Sequence, residues 1–507
     1  MNDLKFSYTK VKRATYAGVI TLFLVLGFSA CINNPTDIIN PTITDESLQR
    51  FPGGSANQVL QGVRTTFSTA VGNIVLYNAY VSDEYVNIST FLSPSADNPR
   101  LITSDDLSLP GSYSGLQNLK ANAEFAITQV PLDNTLNANQ RINATAQARF
   151  FRGMALLMLA ENFANVPVTV GGSGLTSNQL AQEAINDFNL ALPGLGLPAV
   201  LPSGSPASLA MNQTACRLAL ARSHRLRGTL DSAIFYANAA LSSAGSTNYV
   251  YRALFDAQTN NNGVVPFLVT RTTRDLQPLP RLDFLDPKYT AIDSPIPVLK
   301  IEEAHLILAE AAIANGNFTD ARTSLRNAVN AARRADSLVG FNSANTRLAV
   351  AAVGGNRPRS NTLSVRADAN SPAIPNLIPT RPGLVTVFPT SFTSIRTSDI
   401  DALAETEEEF LRTLFLLRQE IFFLEGRRIA DLGIRLPVWR RQLDVNPYGS
   451  GVGFDLSVVP DYIPGFANFN PGTHDMDAFI VSGNVVTCSV DMNRVLATNR
   501  AYSLRRP

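Results

Sequence analysis

ARSHRLRGTLDSAIFYANAA, at 221–240, and AEAAIANGNFTDARTSLRNA, at 309–328, are the stretches that decide the fold of this 507-residue chain. They share small residues at the same offsets: Ala221, Gly228, Ala233 and Ala240 in the first, and Ala309, Gly316, Ala321 and Ala328 in the second. Small residues at these offsets let two antiparallel helices approach closely, and glycine readily adopts the positive φ that the turn between them requires. Each stretch therefore predicts a helical hairpin of tetratricopeptide type, and we expect three or four such hairpins.

Two other segments are apolar on more than one side. Apolar residues of 301–315 form two opposite stripes, and 410–424 has almost no polar face. A helix of this kind is enclosed by its neighbours, so we expect the first to be sandwiched and the second to lie at the centre of the fold. The predicted fold class is mainly α, a tetratricopeptide-like helical-repeat scaffold with repeats at about 114–334 and 405–432.

The composition changes at 339–400 and 440–507, where glycine and proline are frequent and no period is sustained. These segments predict an irregular, loop-rich inserted lobe with few short strands, including a hairpin that pairs 479–481 with 485–487. Long ordered loops in compact domains are usually functional surfaces.

The first 45 residues have the order of an export signal. Four basic residues precede a short apolar core at 17–28, which is below the roughly 20 residues that a membrane-spanning helix needs. The small residues Ser29 and Ala30 precede Cys31, as in a bacterial lipobox. We predict a lipoprotein signal peptide at 1–30, lipidation of Cys31, a flexible leash at 31–44 and a single domain at 45–507. The alternative is an ordinary signal followed by a chance cysteine.

Net charge and cysteine content narrow the possible partners. The formal net charge is +1, so nothing indicates nucleic acid as a partner. Cys216 and Cys488 could form a disulfide in an oxidising compartment, but Cys216 lies in an apolar helical stretch, which favours a buried free thiol.

Motifs for catalysis or metal binding are weak. Glu302 and His305 form one Glu-x-x-His, whereas a di-iron site needs two, and the His-Asp-Met-Asp at 474–477 is too short for an EF-hand loop. The acidic pairs are Asp105 with Asp106 and Asp283 with Asp286. Glycoside hydrolysis needs a particular separation of two carboxylates, so we interpret these four as solvated loop acids. We predict no enzyme, no cofactor and no metal.

A cluster of charged residues lies in or just after the apolar segment 410–424. Unpaired charges would be costly there, so we interpret them as structural ion pairs rather than ligand contacts. The residues are Glu420, Glu425, Arg427, Arg428 and Asp431. Trp439, the only tryptophan, follows them and is expected to pack in the same region.

The candidate ligand-binding segment combines aromatic rings with planar polar groups, the mixture that recognises sugars. Its residues are Tyr77, Tyr80, Asp83, Tyr85 and Asn87. The alternative is that the three rings pack as the face of a helix.

Three segments together resemble the SusD/RagB family of outer-membrane nutrient-binding lipoproteins. They are ARFFRG at 148–153, PVLKIEEAHLILAEA at 297–311 and LEGRRIADL at 424–432. The family usually has aromatic residues where Ile429 and Ala430 stand, so the chain resembles a divergent member.

The resemblance implies an outer-membrane lipoprotein that faces the exterior and binds an oligosaccharide or a peptide. It also implies delivery of that nutrient to a partner, a SusC-like TonB-dependent barrel, without covalent chemistry. Two alternatives remain open: a cell-envelope glycoside hydrolase on a helical scaffold, and a tetratricopeptide-type adaptor without a nutrient ligand.

Overall fold

A computed structural model of the chain describes residues 55–87, 98–169, 171–201, 211–245, 248–267, 276–334, 336–342, 360–380, 383–445, 449–464, 476–500 and 503–504. The chain divides into two units, 1–55 and 56–507, and all but one residue of the first lies outside these ranges. The predicted signal peptide, Cys31 and the leash therefore lie outside the described residues, as do His474 and Asp475.

Helices dominate the described residues, which are Ser55 and the described part of unit 56–507. They are α1 Ser55–Val81, α2 Leu109–Gln129, α3 Ala138–Asn162, α4 Ser177–Ala191, α5 Gln213–Arg227, α6 Leu230–Ser243, α7 Ile301–Ala314, α8 Phe318–Ala332, α9 Thr397–Asp401, α10 Glu407–Ile421, α11 Arg428–Leu432, α12 Arg440–Val445 and α13 Met492–Val495. None of the helices in these ranges is both long and apolar enough to cross a membrane.

The strands are short and form small sheets. They are β1 Tyr85–Asn87, β2 Asn165–Pro167, β3 Gly174–Thr176, β4 Val250–Ala253, β5 Leu276–Pro278, β6 Ile296–Lys300, β7 Leu338–Asn342, β8 Ser364–Arg366, β9 Leu384–Val387, β10 Phe479–Ser482 and β11 Val485–Cys488. The antiparallel pairs are β1 with β5, β2 with β3, β4 with β6, β7 with β9, and β10 with β11. The predicted hairpin at 479–487 is confirmed, and β8 adds to it in parallel.

Consecutive helices form the predicted hairpins. The pairs α5 with α6 and α7 with α8 pack against each other along their lengths, and α3 packs in the same way against α4. All six shared alanines are buried without exposed area. Gly228 and Gly316 occupy the two turns with φ of 73° and 69°, the left-handed conformation that a side chain disfavours. The mainly α, tetratricopeptide-like fold class is therefore confirmed.

Helices α7 and α10 form the centre of the repeat part. Both stripes of α7 are buried, apart from the half-buried Leu308, because α6, α8 and α10 all pack against it. Helix α10 begins with Thr406, whose side chain accepts a hydrogen bond from the backbone N–H of Glu409. From Phe410 onward it is almost wholly buried. The expectation that these two helices are enclosed is confirmed.

We expect Gly316→Ala to lower the free energy of unfolding by about 1 kcal/mol, because alanine is strained at this positive φ. No neighbouring atom would crowd the added methyl group, so the change isolates the backbone effect. Urea denaturation followed by circular dichroism measures it. Gly72→Ala within α1 is the matched control, because its methyl would lie 3.7 Å from Phe255, an ordinary contact. Alanine should raise stability there by about 0.5–1 kcal/mol, and equal effects at both sites would contradict the argument.

Candidate functional site

A buried ion pair joins α11 to the residues that follow α1. Arg428 donates from Nε to Asp83 Oδ1 at 2.6 Å and from Nη2 to Oδ2 at 2.7 Å. Gln419 of α10 adds a third hydrogen bond to Asp83 Oδ2 at 2.8 Å. The carboxylate is thus held in a two-pronged contact, the geometry that favours arginine over lysine.

Asp431 binds two arginines from different helices. Arg418 Nε lies 2.9 Å from its Oδ2, and Arg225 Nη2 lies 3.2 Å from its Oδ1. Arg225 also pairs with Glu310 of α7. Burial alone would raise the pKa of the Asp431 carboxyl, but the two guanidinium groups hold that pKa well below its usual range.

Glu425 is shared between two lysines. Its Oε1 lies 2.5 Å from Lys288 Nζ and 2.7 Å from Lys300 Nζ. Lys300 also donates to the backbone carbonyls of Thr390 at 3.1 Å and Ile421 at 2.6 Å. Burial lowers the pKa of Lys288 to about 8, and the attraction of Glu425 offsets only part of this effect.

Glu420 holds the loop that precedes α9. It accepts hydrogen bonds from Thr393 Oγ1 at 2.6 Å and from the backbone N–H of Ser394 at 2.9 Å. Arg427 pairs in turn with Glu303 of α7 at 3.1 Å. The prediction of structural ion pairs is confirmed for Glu420, Glu425, Arg427, Arg428 and Asp431.

A cavity of about 170 Å³ lies between the first half of α1 and strand β4. Helix α1 contributes Gln61, Arg64 and Phe67 to its wall, and the strand contributes Tyr251 and Arg252. The wall therefore combines two cationic groups with aromatic rings and an exposed amide. This is the mixture that orients a polar ligand in an otherwise apolar pocket.

The two arginines of the cavity have neutral hydrogen-bond partners. Arg64 Nη2 donates to Gln147 Oε1 at 2.5 Å and to the Val200 carbonyl at 3.2 Å. Arg252 Nη2 donates to Thr390 Oγ1 at 2.9 Å. Burial lowers the pKa of both guanidinium groups from the ordinary arginine value. The partners of Arg64 and Arg252 thus differ from those of Arg225, Arg418, Arg427 and Arg428, which contact carboxylates.

Three half-buried phenylalanines form a cluster where β9 leads toward α9. The rings of Phe388 and Phe392 stack with centroids 3.8 Å apart, and Phe284 meets Phe392 edge-on at 6.2 Å. The guanidinium carbon of Arg333 lies 4.8 Å from the Phe392 ring centroid. Thr390, the partner of Arg252, lies between the two stacked phenylalanines in sequence. We call Phe284, Phe388 and Phe392 the aromatic cluster.

Solved structures with a similar architecture include SusD superfamily proteins. One from Bacteroides fragilis matches with a TM-score of 0.52 at 12% identity, over 78% of this chain and 98% of that one. One from Bacteroides thetaiotaomicron matches with a TM-score of 0.53 at 13% identity, over 78% of this chain and 96% of that one. The chain has the SusD-like fold.

A third similar structure comes from Bacteroides vulgatus and is described as a candidate sugar binding protein. Its TM-score is 0.51 at 16% identity, over 78% of this chain and 96% of that one. No protein-family sequence model matches the chain, and no curated protein matches it by sequence. The SusD-like fold is thus shown by similarity of structure. The low sequence identities to these proteins are those of a divergent sequence.

In this SusD-like fold the predicted ligand-binding segment lies in the interior. Tyr77 and Tyr80 are buried and meet edge-on at 5.1 Å, and Tyr85 stacks on Phe423 at 5.7 Å. Asp83 is buried in its ion pair with Arg428. The side chain of Asn87 lies outside the described part.

Tyr77 and Tyr80 therefore pack on one helix, as the alternative interpretation predicted, whereas Tyr85 lies in strand β1; all three rings are buried. The Tyr85 hydroxyl donates instead to the carboxylate of Asp286. That this segment contacts a ligand stays a prediction, and the geometry of its described side chains does not support it.

The interpretation of the acidic pairs as solvated loop acids is wrong for three of four residues. Asp105 is exposed and pairs with Arg440 at 2.9 Å, but Asp106, Asp283 and Asp286 are buried. Asp106 accepts a hydrogen bond from the backbone N–H of Ser108 at 2.9 Å. Distant or backbone donors make burial of these carboxylates possible, and the sequence around them shows no sign of those donors.

The remaining candidates have structural surroundings. Glu302 pairs with Arg334 rather than facing a metal, and burial lowers the pKa of the half-buried His305. Within the ranges that the structure describes, no three metal-binding side chains come together.

Cys216 and Cys488 are both buried free thiols, as predicted for Cys216. Trp439 is half-buried, with the Arg441 guanidinium 5.9 Å from its ring centroid.

Sequence reasoning missed the cavity and the aromatic cluster, although one signal was present. Arg64 is the only charged residue in the 27 residues of α1. A lone arginine in a long helix without acidic neighbours indicates either a distant partner or a binding role. The aromatic cluster joins residues more than 100 positions apart, so no local pattern could predict it.

Proposed function

We propose that this chain is a divergent SusD-like lipoprotein that binds an oligosaccharide or a peptide outside the cell. It delivers that nutrient to a TonB-dependent barrel in the outer membrane. The observation that carries the proposal is the SusD-like fold over 78% of the chain. The description of the Bacteroides vulgatus neighbour as a candidate sugar binding protein points to a carbohydrate as one ligand class.

The aromatic cluster supports a binding role. Phe388 and Phe392 are half-buried, the Arg333 guanidinium lies over the Phe392 ring, and Arg252 donates to Thr390 between them in sequence. Aromatic rings take the apolar face of a sugar ring, whereas guanidinium and amide groups take its hydroxyls. A peptide could use the same rings for apolar side chains.

Ligand binding without covalent chemistry fits the site better than hydrolysis does. A glycoside hydrolase needs two carboxylates facing each other across an open cleft. Of the acidic pairs considered, Asp283 and Asp286 are both buried, and Asp106 is buried beside the exposed Asp105. The hydrolase alternative would therefore need carboxylates other than these four.

We expect the lipoprotein to co-purify with a large TonB-dependent barrel when it is isolated through a C-terminal tag from detergent-solubilised membranes. Mass spectrometry should find the two in comparable amounts, because a lid that delivers nutrient must stay on its channel. Cys31→Ser is the matched control for the anchor, since it removes the acylated thiol and leaves the folded domain unchanged. That variant should leave the membrane fraction.

Recovery of the lipoprotein alone, under conditions that preserve other barrel complexes, would contradict the proposal. Recovery of a different envelope protein in comparable amounts would favour the adaptor alternative instead.

A further inference from the structure

The cavity between α1 and β4 contains two cationic groups without a carboxylate in contact. Arg64 and Arg252 both line it, and their hydrogen bonds go to the neutral acceptors Gln147, Val200 and Thr390. Within the described residues, neither guanidinium is in ion-pair contact with an acid. Among the acids that attract the Arg252 guanidinium without contacting it, Asp336 raises its pKa the most.

One donor of Arg64 is buried and unused. Its Nη1 has no hydrogen-bond partner, whereas its Nη2 has two. A buried guanidinium N–H without a partner is costly, because the group has lost water and gained nothing in exchange. Arg222, Arg418 and Arg428 have an unpartnered Nη1 as well, so this donor adds to the cost of the site but does not by itself indicate a ligand.

The buried arginines elsewhere in the described residues have carboxylates as partners. Arg64 and Arg252 are half-buried, whereas six buried arginines lie in direct contact with a carboxylate: Arg222, Arg225, Arg281, Arg418, Arg427 and Arg428. Pairing is how this fold usually compensates a desolvated guanidinium. Arg64 and Arg252 donate to neutral acceptors instead, as Arg141 and Arg435 also do, and the first two line one cavity together.

We propose that this cavity binds the carboxylate of an anionic ligand, with Arg64 and Arg252 as its cationic partners. The inference rests on the proposed binding function and specifies its ligand class. Among oligosaccharides and peptides, the carboxylate is a shared anionic group: a uronic acid carries it in the first, and the chain terminus in the second. The planar fork of a guanidinium matches the two oxygens of a carboxylate.

The size of the cavity sets how much of the ligand enters. Its 170 Å³ is below the roughly 300–1,000 Å³ of pockets that enclose a whole small molecule. We infer that one acidic unit of a longer ligand occupies it, with the rings of Phe67 and Tyr251 forming its apolar wall. The hydrogen bond from Arg252 to Thr390 connects the wall of the cavity to the loop that carries Phe388 and Phe392.

Isothermal titration calorimetry on the purified full-length protein tests the inference with two matched pairs of probes. Trigalacturonate is compared with galactotriose, and trialanine with a free carboxylate is compared with trialanine amide. We expect the acid of one pair to bind about tenfold or more tightly than its neutral counterpart, and the pair that responds identifies the source of the carboxylate.

Arg252→Gln should weaken binding of the acidic probe about 10- to 100-fold and weaken binding of its neutral counterpart by a smaller factor. Arg326→Gln is the control, because Arg326 is exposed and pairs with Asp401 outside the cavity. Arg64→Lys provides a second test that keeps the charge but removes the fork, and it should also weaken binding of the acid. Circular dichroism shows whether each variant is folded.

The inference is overturned if neither acid binds more tightly than its neutral counterpart, or if Arg252→Gln and Arg326→Gln have equal effects. Its failure can be told apart from failure of the proposed function. Equal affinities for galactotriose and trigalacturonate, together with recovery of a barrel, would retain the nutrient-binding role and remove carboxylate recognition from the cavity.

Discussion

Replacing Arg428 with methionine is expected to lower the free energy of unfolding by about 3–5 kcal/mol, because Asp83 would then be buried without its cation. Methionine keeps most of the apolar stem, so the loss reports the missing charge rather than a cavity. Arg428 is 1% exposed and Asp83 is 2% exposed, so water cannot replace the lost partner. Urea denaturation followed by circular dichroism measures the change.

Two comparisons separate charge from packing in this experiment. Arg326→Met breaks the exposed pair with Asp401 and should cost less than about 1 kcal/mol. Asp83→Asn added to Arg428→Met should recover part of the stability, since it removes the unpaired charge while Gln419 remains beside the amide. A double variant as unstable as the sum of both single variants would show that the two residues act independently.

We expect Glu425→Gln to be the second large effect, lowering the free energy of unfolding by about 3–5 kcal/mol near neutral pH. The substitution leaves Lys288 and Lys300 buried next to each other without the carboxylate that both contact. Glutamine keeps the size of the side chain and can still accept one hydrogen bond. The loss therefore measures the attraction between the charges.

The pH dependence of this loss follows from the shifted pKa of Lys288. The pKa of Lys288 in the folded state is about 8, below the ordinary lysine value. Burial of the charged ammonium therefore disfavours the folded state, and this cost disappears where the ammonium loses its proton. Stability from this group is present above the unfolded pKa and is lost as pH falls through the folded pKa. The deficit of Glu425→Gln should thus be largest at pH 7 and below and should shrink toward pH 10.

Unfolding at a series of pH values between 6 and about 10 tests the sign. Glu408→Gln is the control, because Glu408 is exposed and pairs with Arg494 at the surface. Its effect should be small and should not depend on pH in this range. A deficit of Glu425→Gln that grows with pH would contradict the assignment of Lys288 and Lys300 as the cause.

Some features of the site could be predicted because their cause is local. The ion pairs of Glu420 and Arg427 were predictable from charges within an apolar run, since burial of a charge requires a partner. The identity of each partner was not predictable. Asp83 and Arg428 are 345 positions apart, and only the packing of α11 against the end of α1 brings them together.

Side chains whose burial the sequence did not indicate share one physical reason for it. Tyr77, Tyr80 and Tyr85 have the composition of a sugar-binding face, but the same rings are equally suited to a core. Composition reports the chemistry of a side chain and not the side of the helix that neighbouring elements cover. The buried Asp106, Asp283 and Asp286 were misjudged for the same reason.

The sequence by itself determined the helical hairpins, because the spacing of Ala221, Gly228, Ala309 and Gly316 acts through contacts between neighbouring helices and through the φ of single residues. It also determined that the charges of 420–431 must be paired. Only the tertiary structure decided which surfaces are open. The cavity at Arg64 exists because α1 and β4, nearly 190 positions apart, meet without filling the space between them, and no local pattern records such a meeting.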